Sequence, residues 1–463
     1  MTRLDWRAVT AAALAFAPLA AADICSTLEA AGIEIEKQLS LQYAAERNNY
    51  WSTACGDLKP TCIAFPSSSL EMSAIIKELH NTDDLFAVKS GGHMPNNGFA
   101  SIQDGLLIST KRLNQVIYDA DSEIADVGPG LDWEDAQKAL DDQGTGHAVV
   151  GGRFGGVGVG GYMLGGGLSF LSSQYGWAAS NVVEFEVVLA NGTVVQANEE
   201  EQSDLFLSLK GGGLGRNYII DASKTPEVLQ AVRDFTEYYP DDKAAIIMTT
   251  NRALVVNTWI MFLFYDGPEP PANVFENFTA LNPIDTTKTW DSYYDLLKNN
   301  DAYILQYRQP PSHHPTHPKP SKHTTNEILD VLGVIGSLAL QPMPRTITSK
   351  AKALGGDLLD FPTDQDYIIL ELDYSWSVSA SDNKVDAQMR NLYRGMDNHI
   401  SGFVEQGVLP DAYRPLFMND AYHSQDYWGR ILAGSREKAR RAREVYDPDM
   451  WLQERSSGGF RLG

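Results

Sequence analysis

Cysteine is scarce in this chain. Three occur in 463 residues, Cys25, Cys55 and Cys62, all near the N-terminal end. So few exclude a disulfide-built scaffold. One bridge and one odd thiol is the simplest reading. A metal site is the alternative, but no fourth ligand lies nearby. Basic residues are also few, 37 Lys and Arg against 60 Asp and Glu, for a net charge of −23. That balance argues against partners that need a basic surface, nucleic acid and anionic membrane alike. Long apolar runs are missing as well. The stretch Ala8 to Ala22 is mostly apolar but too short to span a bilayer. It follows Arg3 and Arg7 and ends in Ala20-Ala21-Ala22, the pattern of a signal peptide over residues 1–22, cleaved before Asp23. The expectation is a secreted protein.

Glycine, by contrast, is abundant and clustered. Lys89-Ser90-Gly91-Gly92-His93 forms one group, and residues 151–167 form a second, running Gly151-Gly152-Arg153-Phe154-Gly155-Gly156-Val157-Gly158-Val159-Gly160-Gly161 to Gly165-Gly166-Gly167. Glycine costs conformational entropy on folding, so dense runs mark backbone that lies close to something or needs positive φ. Bare amides in such loops form nests for phosphate oxygens. Gly156 to Gly161 also matches the dinucleotide fingerprint. A nicotinamide unit, however, needs an uninterrupted helix after the loop and an acid about twenty residues on. Gly165-Gly166-Gly167 interrupts the helix, and Glu186 falls within an apolar strand pattern.

The two glycine segments, in this order, resemble those of FAD-linked oxidases with a PCMH-type flavin domain, the berberine-bridge-enzyme-like group. The resemblance runs from about Pro60 to the C-terminus. It implies an α+β fold of the vanillyl-alcohol-oxidase type. The division expected is a helical segment over 23–57, an FAD-binding domain over 58–216, an antiparallel-sheet substrate domain over 217–412, and a tail over 413–463 that returns to the flavin domain. It implies FAD, bonded covalently to His93. The residues it places around the cofactor are Lys89, Ser90, Gly91, Gly92, His93, Gly128, Gly130, Gly152, Arg153, Gly158, Val159, Gly160, Gly161, Gly165, Gly166, Val183 and Asn419. Some relatives add a cysteinyl bond three residues before the Val-Gly-Val-Gly-Gly run. Phe154 stands there, so single attachment is expected. The resemblance also favours a Cys25–Cys62 bridge, leaving Cys55 free. The function implied is a secreted fungal oxidoreductase acting on a small natural product of secondary metabolism, with molecular oxygen as acceptor. An oligosaccharide oxidase and a catalytically impaired relic are the alternatives.

Three features depart from the family pattern. After Gly213 the family continues into several strands, whereas here the next helix starts near Thr225, so a sheet edge is expected to be exposed. Phe417 replaces the tyrosine that some relatives use as base. Tyr374, at the end of a substrate-domain strand, becomes the candidate base, with Asp373 beside it serving only if buried and tuned. A Pro- and His-rich stretch from Gln306 to Thr325 reads as a loop or translated intron rather than a metal site. Two sequons, Asn191-Gly192-Thr193 and Asn277-Phe278-Thr279, are present, the first doubling as hairpin-turn chemistry.

Overall fold

The computed structural model describes residues 23–210, 218–253, 257–284, 290, 292–301 and 325–463. The signal-peptide stretch, Gly211–Asn217 and all but the end of the Pro/His-rich stretch lie outside the described residues.

The first lobe is built on a four-stranded sheet of β1 (Ile35–Lys37), β2 (Cys62–Ala64), β3 (Phe86–Lys89) and β4 (Leu106–Ser109), in the order β1-β2-β4-β3. β2 and β3 both run parallel to β4, while β1 is antiparallel to β2. Parallel pairing needs a crossover, and the helix Ser69–His80 supplies one. Ser68 caps it, accepting from the Glu71 amide at 3.2 Å, while the Glu71 carboxylate accepts from the Ser67 amide at 2.7 Å. This reciprocal arrangement satisfies amides at the helix start. Met72, Ile75, Ile76 and Leu79 recur at helical spacing and pack on Cys62, Ala64 and Ile108. Ile75 and Leu79 are fully buried, each contributing about 1.5–3 kcal/mol. An aspartate at Ile75 would break this layer.

Within the segment 23–57, expected to be helical, the chain is helical over Ile24–Ala30, Leu41–Asn48 and Thr53–Asp57, with β1 between the first two. Gly32 takes φ +88, ending the first helix, and β-branched Ile33 and Ile35 lead into β1. Cys25 and Cys62 form a disulfide with Cα atoms 6.2 Å apart, and Cys55 is a buried free thiol.

Two hairpins follow, β5 (Val116–Asp119) with β6 (Ile124–Val127), and β7 (Glu184–Val188) with β8 (Val194–Asn198). Each is a separate two-stranded sheet.

The second lobe is an antiparallel five-stranded sheet in the order β13-β12-β10-β11-β9, comprising β9 (Tyr218–Asp221), β10 (Ala244–Arg252), β11 (Asn257–Tyr265), β12 (Ile335–Met343) and β13 (Tyr367–Ser375). Side chains alternate between faces. Ile246, Met248, Trp259, Met261, Leu263 and Leu340 face the helix Thr225–Glu237, whose Val228, Val232 and Phe235 complete that core. The opposite face turns Ile247, Phe262 and Ala339 toward Phe154 of the glycine-rich loop. The loop therefore lies against one face of this sheet. The tail returns to the first lobe, where Trp451 packs among Ile75, Leu79 and Phe86.

Candidate active site

Three turns of the first lobe converge. A Cβ on Gly91 would meet Gly158 at 2.6 Å, so the Gly91 and Gly158 backbones touch. Ser90 Oγ donates to the Pro129 carbonyl at 2.6 Å. Gly128 and Gly130 are required because a side chain there would strike the carbonyls of Leu113 and Thr110. Most of this glycine thus serves backbone-to-backbone packing. Gly161 differs, since it is exposed and a Cβ there would meet nothing within 4 Å. Beside it, Val159 and Gly160 open the short helix Val159–Leu164. Its far end and the Gly165–Gly167 triplet are held by Asn419, which donates to the Tyr162 carbonyl at 3.2 Å and accepts from the Gly167 amide at 3.5 Å. Gly166 and Gly167 both take positive φ. The tail thus reaches the glycine-rich loop through Asn419.

His93 lies on the rim of this convergence. Its Nε2 atom is enclosed and has no hydrogen-bond partner among the described residues. Burial pushes the imidazole down to about 4, so it is neutral at ordinary pH. The Trp51 ring stacks on it at 4.6 Å, with 23° between planes.

Lys89 does not face the cradle. Its ammonium is buried and pairs with Glu46 Oε1 at 2.5 Å, beneath the loop and over the Tyr50 ring. A strand residue flips face at each step, so β3 turns Lys89 inward. Val183 stands on the surface, 56% exposed. Gly152 lies against the Trp133 indole, with its carbonyl accepting from Tyr293 at 3.3 Å.

Arg153 leaves this loop for the second lobe, where its guanidinium donates to the Gln341 side-chain oxygen. Gln341, 1% exposed, in turn donates to Glu371 at 2.7 Å and to Asp420 at 3.4 Å. Gln341, Glu371 and Asp373 share the loop-facing side of β12 and β13, following the register Ala339↔Glu371 and Ser337↔Asp373. Asp373 and Asp420 are reachable by solvent yet lie deep in the protein, as cleft walls do. Burial, then the neighbouring carboxylates, holds Asp373 well above the usual range. Burial also raises Glu371 and Asp420, while Arg153 pulls both back.

The same alternation corrects the expectation for Tyr374. It points to the other face, buried at 8% among Ile328, Val331, Val334, Trp376 and Val385. It cannot reach the loop-facing cleft without flipping the strand. Glu371, Gln341, Asp420 and Trp51 were not singled out by sequence reasoning. The alternation Glu371-Leu372-Asp373 was the available signal, two acids on one face of an otherwise apolar strand.

The first-lobe features fit a flavin dinucleotide: an enclosed imidazole nitrogen without a partner among the described residues, and an uncovered glycine, Gly161, in the first turn of a short helix. Residues 60–198 match the family model described as an FAD binding domain. An FAD-linked oxidoreductase of Arthroderma benhamiae is 43% identical over 478 positions, covering 95% of each chain. The chain belongs to the FAD-linked oxidoreductase family. An FAD-dependent monooxygenase, drtC, of Aspergillus calidoustus is 27% identical, covering 96% of this chain and 91% of its own. Among solved structures, xylooligosaccharide oxidase of Myceliophthora thermophila superposes with TM-score 0.71 at 18% identity, over 93% of this chain and 97% of that one. Glucooligosaccharide oxidase of Acremonium strictum, whose flavin is described as 6-S-cysteinyl, 8α-N1-histidyl FAD, superposes at 0.69 and 18%, over 94% and 98%. These likenesses give the fold as α+β and PCMH-type. This FAD-linked oxidoreductase has no helix, among its described residues, long and apolar enough to cross a membrane.

Proposed function

We propose that this enzyme is a secreted oxidase that removes two electrons from an alcohol or amine carbon of a small natural product and delivers them to molecular oxygen. The observation that carries the reading is the Asp373 carboxylate, held above its usual range on the sheet face that meets the glycine-rich loop. A general base works best when its pKa lies near the working pH. The turns at Gly91–His93, Gly128–Gly130 and Gly158–Gly161 would hold FAD, which would supply a hydride acceptor and a route for the two electrons to oxygen, giving hydrogen peroxide. Asp373 takes the hydroxyl or amine proton of the substrate. Glu371 and Asp420 orient the donor groups of the substrate, and Gln341 fixes both. The substrate sits over the second lobe, 217–412, and the cofactor in the lobe of 58–216.

His93 carries the flavin covalently in this reading, because its neutral ring and enclosed nitrogen suit a nucleophile. Phe154 gives no thiol where a second bond would form, and its ring packs edge-on against Phe262. Acid-precipitated protein should retain flavin, and His93→Ala should release it. Mass spectrometry should find flavin on the His93 peptide alone. The reaction itself is tested by hydrogen-peroxide release across a panel of alcohols, amines and sugars. Sugars belong in the panel because Thr249, Asn251 and Ser337 extend the same sheet face with hydroxyl and amide groups, Ser337 donating to Asn251 at 2.7 Å. A yellow protein with no turnover on any of them would count against the oxidase reading.

A further inference from the structure

We infer that Trp51 is a positioning residue for flavin attachment, fixing the His93 imidazole in the orientation from which it bonds the cofactor. The inference rests on the proposed His93 linkage. The segment before Trp51 acts as a template for the whole Gly-Gly-His turn. The Trp51 amide donates to the Gly92 carbonyl at 3.0 Å. Gly92 takes φ +73, and a Cβ there would meet Lys89 Cε at 2.8 Å, Asn49 O at 2.9 Å and Tyr50 at 3.0 Å. The turn is therefore pressed onto residues 49–51 and admits only glycine. Tyr50 is anchored in turn by its hydroxyl, which donates to the Ala100 carbonyl at 2.7 Å, and by the Lys89 ammonium over its ring. Glu46 completes the template by holding Lys89.

With the backbone fixed, the two side-chain torsions that rotate the imidazole remain. Trp51 restricts them by covering one ring face. Among the described residues no polar group does so from the Nε2 side, and the ring's other hydrogen bond goes to its own backbone. An imidazole held by stacking and by its own backbone keeps the Nε2 lone pair for bonding. Held by a donor, it would lose that lone pair; held by a carboxylate, it would be drawn toward the cation. Attachment exchanges one C–H bond of the 8α methyl group and the imidazole N–H for a C–N bond. The two electrons and two protons released pass by way of the flavin to dioxygen, forming hydrogen peroxide. A near-attack geometry is what a stacked platform contributes to such a step.

The test compares Trp51→Ala, Trp51→Leu and Trp51→Phe with the unmutated enzyme, each purified from a secreting host with FAD supplied. Three quantities are read: total flavin per protein after proteolytic digestion, the fraction surviving acid precipitation, and the thermal midpoint. The expected result is total flavin close to the parent in all three. The acid-stable fraction should fall at least about tenfold in Ala and Leu, as loss of a positioning contact does, and recover in Phe. An acid-stable fraction unchanged in Ala and Leu overturns the inference. So does a parallel loss of total flavin and thermal midpoint, which would make Trp51 a packing residue. Release of flavin from the unmutated enzyme would overturn the His93 linkage itself, and this inference with it.

Discussion

The Arg153 guanidinium donates to the Gln341 side-chain oxygen, joining the glycine-rich loop to β12. One buried amide therefore links the cofactor-side cation to two cleft carboxylates, Glu371 and Asp420. Arg153 lowers both carboxylates against the burial that raises them. Arg153→Met should cost about 1–3 kcal/mol near neutral pH, since it strands buried acceptors. The sign with pH follows: raised carboxyl pKa values mean the folded state resists ionisation, so the cation matters most where the carboxylates are charged. The difference in thermal midpoint between Arg153→Met and the parent should shrink on acidification. An equal loss at every pH would contradict this.

Asp373→Asn should lower turnover by about 10²–10⁴, the range for a lost general base, with flavin content unchanged. Tyr374→Phe should leave turnover within a few-fold, because its ring lies behind the sheet among Ile328, Val334 and Val385. The reverse outcome would restore Tyr374 as the base. Asp420→Asn adds a pH test. The Asp420 charge helps raise Asp373, so its removal lowers the base, and the acid limb of the rate profile should move to lower pH.

Asp132 caps the helix Trp133–Asp142, accepting from the Asp135 amide at 3.0 Å. Burial, then Asp135, Glu134 and Asp301, lifts it to about 6 against that hydrogen bond. A folded pKa above the unfolded one favours folding most at low pH, and the advantage is lost as pH rises through about 6. Asn keeps the cap without the charge. Asp132→Asn should therefore stabilise the protein by about 1 kcal/mol at pH 7–8, after discounting for partial solvent exposure, and change little near pH 4. Denaturant unfolding at the two pH values measures this.

How much was legible follows from which forces act locally. The helix Ser69–His80 and the close approaches at Gly91–Gly92 and Gly128–Gly130 are of the legible kind, because capping, periodicity and glycine leave marks in neighbouring residues. Asn419 was readable only through the family resemblance, and the structure gives it a task, bonding Tyr162 and Gly167. Tyr374 was misplaced because a one-residue step along a strand reverses the face, and the one local sign of the cleft face, the acids Glu371 and Asp373 on alternate positions, was not used. The Lys89 side chain turns inward for the same reason. Its partner Glu46 lies 43 positions earlier, a pairing that only the fold creates. The helix Leu41–Asn48 that carries Glu46 lies within the segment 23–57 expected to be helical, but nothing in the sequence tied Glu46 to Lys89.

The hairpins β5–β6 and β7–β8 stand as separate two-stranded sheets, and an isolated hairpin is marginal in water. Their margins expose apolar side chains, Ile117 at 60%, Ile124 at 43% and Val183 at 56%. Open edges with apolar neighbours invite pairing between molecules. The alignment with the Arthroderma relative is longer than this chain, so that relative carries residues missing here. In sequence, only four residues separate Gly213 from β9, and β9 itself pairs with β11 in the second lobe. At about 3.3 Å per residue, four residues cannot cross a sheet more than once. The chain as written should therefore be prone to aggregate and low in flavin. Inserting after Gly213 a segment of the family pattern should raise both the monomer fraction on size-exclusion chromatography and the flavin-to-protein ratio. If the unaltered chain elutes as a monomer with one flavin per protein and turns over substrate, the shortened form is a working adaptation and the missing-strand argument fails.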